Sequence, residues 1–137
     1  MTDVPENLKY TATHQWVRPE ADGTATVGIT FYAQEQLGDV VFVQQPAVGS
    51  GVERGAHCAV VESVKAASDI PAPITGEVVA INQAVVDQPE RLNQDPYGAW
   101  LFRIRPRAVA DLSGLLDARA YRKLVTSDPS TSSGQAG

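Results

Sequence analysis

Glycine and proline cut this chain into short pieces, and that punctuation limits what it can fold into. Eleven glycines and nine prolines are spread over 137 residues. The stretches between them are rich in β-branched and aromatic residues and rarely long enough for an extended helix. Tyr10 to Arg18 alternates in polarity. Ala21-Asp22-Gly23 then signals a turn, and Thr24 to Thr30 follows as T-A-T-V-G-I-T. Two such runs around Asp-Gly read as a β-hairpin. Further strands are expected at Asp39 to Gln44, Cys58 to Val64, Glu77 to Asn82 and Ala99 to Arg105. Turn residues at Pro46, Gly49, Gly51, Gly55, Pro71, Pro73, Gly76 and Asp95-Pro96-Tyr97-Gly98 separate them.

Helical signals are few. Thr30 suits an N-cap, Phe31 to Leu37 tolerates two turns of helix, and Gly38 stops it. Pro89-Glu90 fits the first turn of a short helix over Asp87 to Leu92. Near the end, Leu112, Leu115, Leu116 and Ala120 share a face at helical spacing, continued by Tyr121 and Leu124. Residues 126–137 are Ser, Thr, Gly and Pro with almost no apolar content, and are expected to form a disordered tail. Many short strands with a few helices predict a mostly β domain over 1–125, an antiparallel sandwich or barrel with short helices near 31–37 and at the C-terminus.

Charge narrows the function. The net charge is -5, whereas a nucleic-acid binder would show a basic patch or stripe. Acidity favours solubility and docking to basic partner surfaces. No apolar run approaches the roughly 20 residues that span a membrane. Met1 to Lys9 contains acids and no apolar run, unlike a secretory signal. The single cysteine, Cys58, cannot form an internal disulfide, which fits a bacterial cytoplasmic protein.

The most informative segment is Val60-Val61-Glu62-Ser63-Val64-Lys65-Ala66-Ala67-Ser68-Asp69. A strand runs into a lysine followed by two alanines, then returns toward Pro73 and Gly76. Lys65 is expected near a hairpin tip, between small neutral side chains and open to several partners in turn. By residue type alone it would be an ordinary solvated lysine.

The run Glu62 to Asp69, E-S-V-K-A-A-S-D, resembles the lipoylation site of the glycine cleavage system H protein family. Other motifs of that family follow in the same order: Tyr10-Thr11, His14 with Trp16-Val17, Thr26 to Thr30, Tyr32 to Asp39, Val41-Phe42-Val43, Pro73 to Val79, and Asp95 to Gly98 with Trp100. The resemblance covers roughly residues 8 to 125. It implies a lipoyl-type β-sandwich, in agreement with the strand-rich reading. It implies lipoate in amide linkage on Lys65, within a motif formed by Glu62, Ser63, Val64, Ala66, Ser68 and Asp69. It also implies three enzyme partners besides the lipoate-attaching enzyme. A pyridoxal-phosphate glycine decarboxylase would load an aminomethyl group on the arm. A tetrahydrofolate-dependent aminomethyltransferase would remove it, and dihydrolipoamide dehydrogenase would reoxidise the dithiol. The carrier itself would catalyse nothing; tethering raises effective concentration.

This sequence departs from the family at several points. His14-Gln15-Trp16 stands where His-Glu-Trp is usual. Phe31 replaces an aspartate, and Pro71 replaces a tyrosine six residues after the lysine. Gln45-Pro46 replaces Leu-Pro. His14, Phe31 and Pro71 are candidates for a partner-facing surface, and the last two motivate an alternative pathway: a related lipoyl carrier of sulfur oxidation, serving a heterodisulfide-reductase-like complex. A biotin carrier would have methionines on both sides of the lysine, where this chain has Val64 and Ala66.

Other residues carry weaker signals. His57 and Cys58 are neighbours on a strand and point to opposite faces, so they make a poor base and nucleophile; Cys58 is expected to be a small core residue. His14 is expected either to meet the arm or a partner, or to pack beside Trp16. Glu35 and Asp39 read as a solvated face. Glu62 and Asp69 are read equally as recognition residues and as solubilising charges. Two histidines and one cysteine give no zinc spacing, and the loop Gly49 to Gly55 lacks a Walker lysine. No catalytic constellation is apparent.

Overall fold

The computed structural model describes residues 4–126. Two antiparallel sheets face one another. The larger has the order β1 (Lys9–Tyr10), β2 (Gln15–Pro19), β3 (Ala25–Ile29), β9 (Phe102–Pro106), β8 (Gly76–Ile81) and β5 (Gly51–Val52). The smaller holds β4 (Val40–Gln44), β6 (His57–Ser63) and β7 (Ala67–Pro71). The sheets stay open, so the fold is a sandwich and not a closed barrel.

The β2–β3 turn forms as its Asp-Gly signal requires. Gly23 takes φ +90°, and Asp22 Oδ1 accepts from the Thr24 N–H at 3.0 Å. The core between the sheets takes Val17, Val27 and Ile29 from one side and Val43, Ala59, Val61 and Ile70 from the other. A second apolar cluster covers the opposite face of the larger sheet. There Tyr10 stacks on Tyr121 with ring centroids 4.7 Å apart, and Trp16 packs with Tyr32, Ala118 and Val125. β3 serves both clusters, and each of its five residues is buried.

Among the described residues, three α-helices lie in connections between strands and a fourth follows the last strand. α1 (Phe31–Leu37) has the expected bounds: the Thr30 side chain accepts from Ala33 N–H, and Gly38 closes it at φ +81°. The helix expected over Asp87 to Leu92 is instead two short ones, α2 (Gln83–Asp87) and α3 (Arg91–Gln94). Asn82 caps α2 through its side chain, and Pro89 lies in the break before α3. The strand expected from Tyr10 to Arg18 is interrupted. Thr11 and Thr13 hydroxyls both donate to Gln15 Oε1 at 2.7 Å, and the backbone turns there. The strands expected from Cys58 to Val64 and from Ala99 are also shifted, to His57–Ser63 and Phe102–Pro106.

The one or two short helices expected near the C-terminus are a 3-10 turn over Val109–Gly114, which contains Leu112, and α4 (Ala118–Thr126). Leu115 and Leu116 lie between the two, so the leucines do not form one continuous helical face. α4 buries Ala118, Tyr121 and Val125 at spacings of three and four, and leaves Leu124 38% exposed. Asp117 caps it, accepting from Ala120 N–H at 2.8 Å. Thr126 ends this helix; the rest of the expected tail, 127–137, lies outside the described residues.

Gly28 lies opposite Trp16 in the β2–β3 register. A Cβ there would stand 2.5 Å from the indole carbons of Trp16, whose Nε1–H donates to Pro96 O at 2.9 Å. Gly28→Ala is expected to destabilise the fold by about 1–3 kcal/mol, the usual range for overpacking a fixed core. Urea unfolding followed by tryptophan fluorescence measures this, and an unchanged midpoint would contradict the packing described.

Candidate functional site

β6 and β7 form a hairpin in which Val61 faces Ser68 and Glu62 faces Ala67. Val64, Lys65 and Ala66 lie between its strands, and Ser63 N–H donates to Ala66 O at 2.8 Å. The Ser63 side chain holds the turn: its Oγ accepts from the Lys65 N–H (3.1 Å) and Ala66 N–H (3.2 Å) and reaches Ala66 O (3.2 Å). This local capture of backbone by a serine hydroxyl is the ordinary chemistry of tight turns. Lys65, Ala66 and Ala67 are all exposed.

A second element supports the tip. Asp39 O accepts from Val64 N–H at 3.0 Å, which ties the hairpin to the corner between α1 and β4. Gly38 lies at that corner, and a Cβ on it would come 3.3 Å from Lys65 Cε. The corner needs glycine both for its positive φ and for the lysine methylenes that pass over it. Asn93 of α3 clamps the same corner. Its Nδ2 donates to Gly38 O (2.8 Å) and Gln34 Oε1 (3.1 Å), and its Oδ1 accepts from Val40 N–H (2.8 Å).

Beside the hairpin lies a groove of about 190 Å³, lined by His14, Ile29, Ala33, Leu37, Ser68 and Asp69 among others. His14 enters it from a strained backbone with φ 72°. Its ring packs 4.6 Å from that of Tyr32, and Nδ1 shares a 2.8 Å hydrogen bond with the Tyr121 hydroxyl. That hydroxyl also meets Thr30 Oγ1 at 2.7 Å. Burial pushes the Tyr121 phenol well above its ordinary range, so it stays protonated as a hydrogen-bonding post.

The structure thus brings Lys65, Ser63, Val64 and Ala66 together at the tip, with Glu62, Ser68 and Asp69 on the strands below it. It does not bring His14, Phe31 and Pro71 to one place. His14 lines the groove. Phe31 starts α1, with its N–H donating to the Tyr97 hydroxyl at 3.1 Å. Pro71 lines a separate, largely apolar hollow with Arg54, Leu115 and Leu116. Gly38, Asn93, Tyr121 and Thr30 support the site without having been singled out for it. The Thr30 cap and the Gly38 stop were visible as helix ends; nothing in the sequence links Asn93 or Tyr121 to Lys65.

His57 and Cys58 do not act together. His57 instead approaches Asp69 at 3.7 Å on the exposed surface. Cys58 is half-buried against the core, and burial raises its thiol to about 11. Among the described residues no group of histidine, cysteine and carboxylate side chains could hold a metal ion.

The family described as glycine cleavage H-protein matches residues 8–128. This chain belongs to that family. It is 59% identical to the glycine cleavage system H protein of Nitrosospira multiformis and 58% to that of Thiobacillus denitrificans. Each alignment covers 91% of this chain and 97% of the relative. A crystal structure of a glycine cleavage system H protein from Mycobacterium marinum superposes with a TM-score of 0.82 at 43% identity. It covers 90% of this chain and 99% of that one. These matches lend no support to the sulfur-oxidation alternative.

The shielded thiol gives a direct test. A rise from 9.0 to about 11 leaves about 100-fold less thiolate at pH 8. Iodoacetamide is therefore expected to alkylate Cys58 far more slowly than free cysteine, with the rate rising as pH approaches 11. Because the unfolded thiol ionises near 9.0, its contribution to stability is complete below that pH and is lost as pH climbs toward about 11. Alkylation at the rate of free cysteine would show that the burial is wrong.

Proposed function

We propose that this chain is the lipoyl carrier of a glycine cleavage system, with lipoate in amide linkage on Lys65. The carrier role, as distinct from that of an enzyme, follows from membership of the H-protein family. The observation that supports Lys65 is its setting: an exposed amine at a three-residue tip, held by Ser63 and backed by Gly38. Lys65 makes no ion pair with a described residue, and Ala66 and Ala67 leave the approach clear.

The residues present fit such a group. Ser63 fixes the direction in which the Lys65 backbone leaves the hairpin. Gly38 gives the lysine methylenes a flat support. The groove beside α1 and β7 offers a concave surface for the far end of an arm, with Ile29, Ala33 and Leu37 as apolar lining and His14 and Asp69 as polar lining. A bound dithiolane would supply reversible disulfide–dithiol chemistry that the single Cys58 cannot. The partners proposed are the pyridoxal-phosphate glycine decarboxylase, the tetrahydrofolate-dependent aminomethyltransferase, dihydrolipoamide dehydrogenase and a lipoate-attaching enzyme. We place this cycle in the bacterial cytoplasm. No helix among the described residues is long and apolar enough to cross a membrane.

Intact-mass analysis of protein from lipoate-replete cells is expected to show one lipoyl adduct, absent in Lys65→Arg. An unmodified wild-type protein from such cells would sink the proposal. The lipoylated protein is also expected to support glycine decarboxylation with purified partner enzymes. Ser63→Ala removes the acceptor for two backbone N–H groups at the surface. Its stability should fall by only about 1 kcal/mol, while its lipoylation rate falls several-fold relative to wild type.

A further inference from the structure

The two sheets differ in how their charges are answered. On the larger sheet and its loops, acids meet arginines: Arg18 and Glu20 at 2.9 Å, Arg105 and Glu77 at 3.7 Å, Arg107 and Glu53 at 3.5 Å. Around the hairpin they do not. Glu62 on β6, Asp39 at the supporting corner and Glu35 on α1 form no ion pair with a described residue, and Asp69 meets only His57. Lys65 is the only lysine or arginine in α1, β4, β6, β7 and the tip between them. Arg91, on the neighbouring α3, is held by Gln88 Oε1 at 2.7 Å.

Apolar side chains are exposed on the same face. Val41 is 55%, Phe42 47% and Val64 68% accessible. A bulge between Val40 and Phe42 lets both Val41 and Phe42 face outward, and Phe42 lies opposite Glu62 in register. Val64 is next to Lys65. Single exposed hydrophobic residues need no explanation. Here three share the hairpin face with unneutralised acids, at the end of the molecule that a partner handling Lys65 must approach.

We propose that this face docks a protein surface with an apolar centre and a basic rim, and that acylation of Lys65 strengthens the docking by removing the one cation within it. The inference rests on the reading of Lys65 as the acylated residue. The Lys65 ammonium first loses one proton to become the attacking amine. The C–N bond at Nζ then forms as the bond from the acyl carbon to its leaving group breaks, and the second proton departs with that leaving group or to solvent. The ammonium becomes a neutral amide, and the acids Glu35, Asp39, Glu62 and Asp69 are left without an opposing lysine. A basic partner then gains one attractive balance of charge where it formerly met a like charge. One partly solvated unit charge at contact distance changes affinity by about 3- to 10-fold. Downstream partners would thus favour the loaded carrier even before they engage the arm.

The test separates charge from arm. The probe is the aminomethyltransferase of the same organism, immobilised and titrated with full-length unmodified wild type, lipoylated wild type, Lys65→Arg and Lys65→Gln. At low ionic strength Lys65→Gln is expected to bind about 3- to 10-fold more tightly than Lys65→Arg, with unmodified wild type close to the arginine variant. High salt should close the gap. Asp39→Asn with Glu62→Gln, added to Lys65→Gln, should abolish the gain, and Phe42→Ser should weaken all forms. Equal affinity of Lys65→Gln and Lys65→Arg, including no binding by either, overturns the proposal. Failure of the lipoyl reading would instead appear as a missing adduct by mass, and it leaves the glutamine–arginine comparison readable.

Discussion

β3 is packed from both sides, and much of the architecture depends on that double burial. Its Ala25, Val27 and Ile29 enter the core between the sheets, while Gly28 makes room for Trp16 on the other face. A strand committed on both faces has little freedom of register, since a slip of one residue would exchange its two faces. Thr30 follows directly. Its side chain caps α1 and meets Tyr121, so the strand that organises both cores also fixes where α1 begins. Seven residues later α1 ends at Gly38, and Asp39 O holds the hairpin tip. The placement of Lys65 is thus continuous with the most deeply buried strand, through one helix and one hydrogen-bonded corner.

Much of this was legible because it is local. The Asp-Gly turn, the Thr30 cap, the Gly38 stop and the hairpin around Lys65 each depend on residues within a few positions of one another. The misses share a different cause. Tyr10 to Arg18 reads as one strand until Gln15 captures the hydroxyls of Thr11 and Thr13. Asn82 reads as the end of a strand, yet its side chain starts a helix. Leu112 and Leu116 have helical spacing, but the 3-10 turn shifts the phase and gives the buried positions to Ala118, Tyr121 and Val125. At the site, Asn93 is separated by more than fifty residues from Gly38, and His14 by 107 from Tyr121. Propensity and periodicity carry no information about such pairs.

The same division applies to charge. The sequence shows a net excess of acids but not where they go. The fold pairs those on the larger sheet with arginines and leaves those near Lys65 unanswered by lysine or arginine. Ion pairs on an exposed surface contribute little to stability, typically about 0–1 kcal/mol each. Leaving these acids unpaired therefore costs the fold little, while it gives the hairpin end a field that a partner can sense at a distance.

A carrier that visits several enzymes faces a conflict between mobility and definition. A floppy attachment point would spread the arm over many directions and lower its effective concentration at each active site. Here the backbone on either side of Lys65 is held by hydrogen bonds to Ser63 and Asp39 and by the β6–β7 ladder, which defines where its side chain begins. Ser63 is the economical part of this arrangement: one hydroxyl meets two backbone N–H groups without adding bulk to the tip. Larger side chains at Ala66 or Ala67 would narrow the approach to Nζ, and any Cβ at Gly38 would crowd the lysine stem. The tip therefore combines a hydrogen-bonded base with an exposed amine, the setting that the proposed attachment of an arm at Lys65 requires.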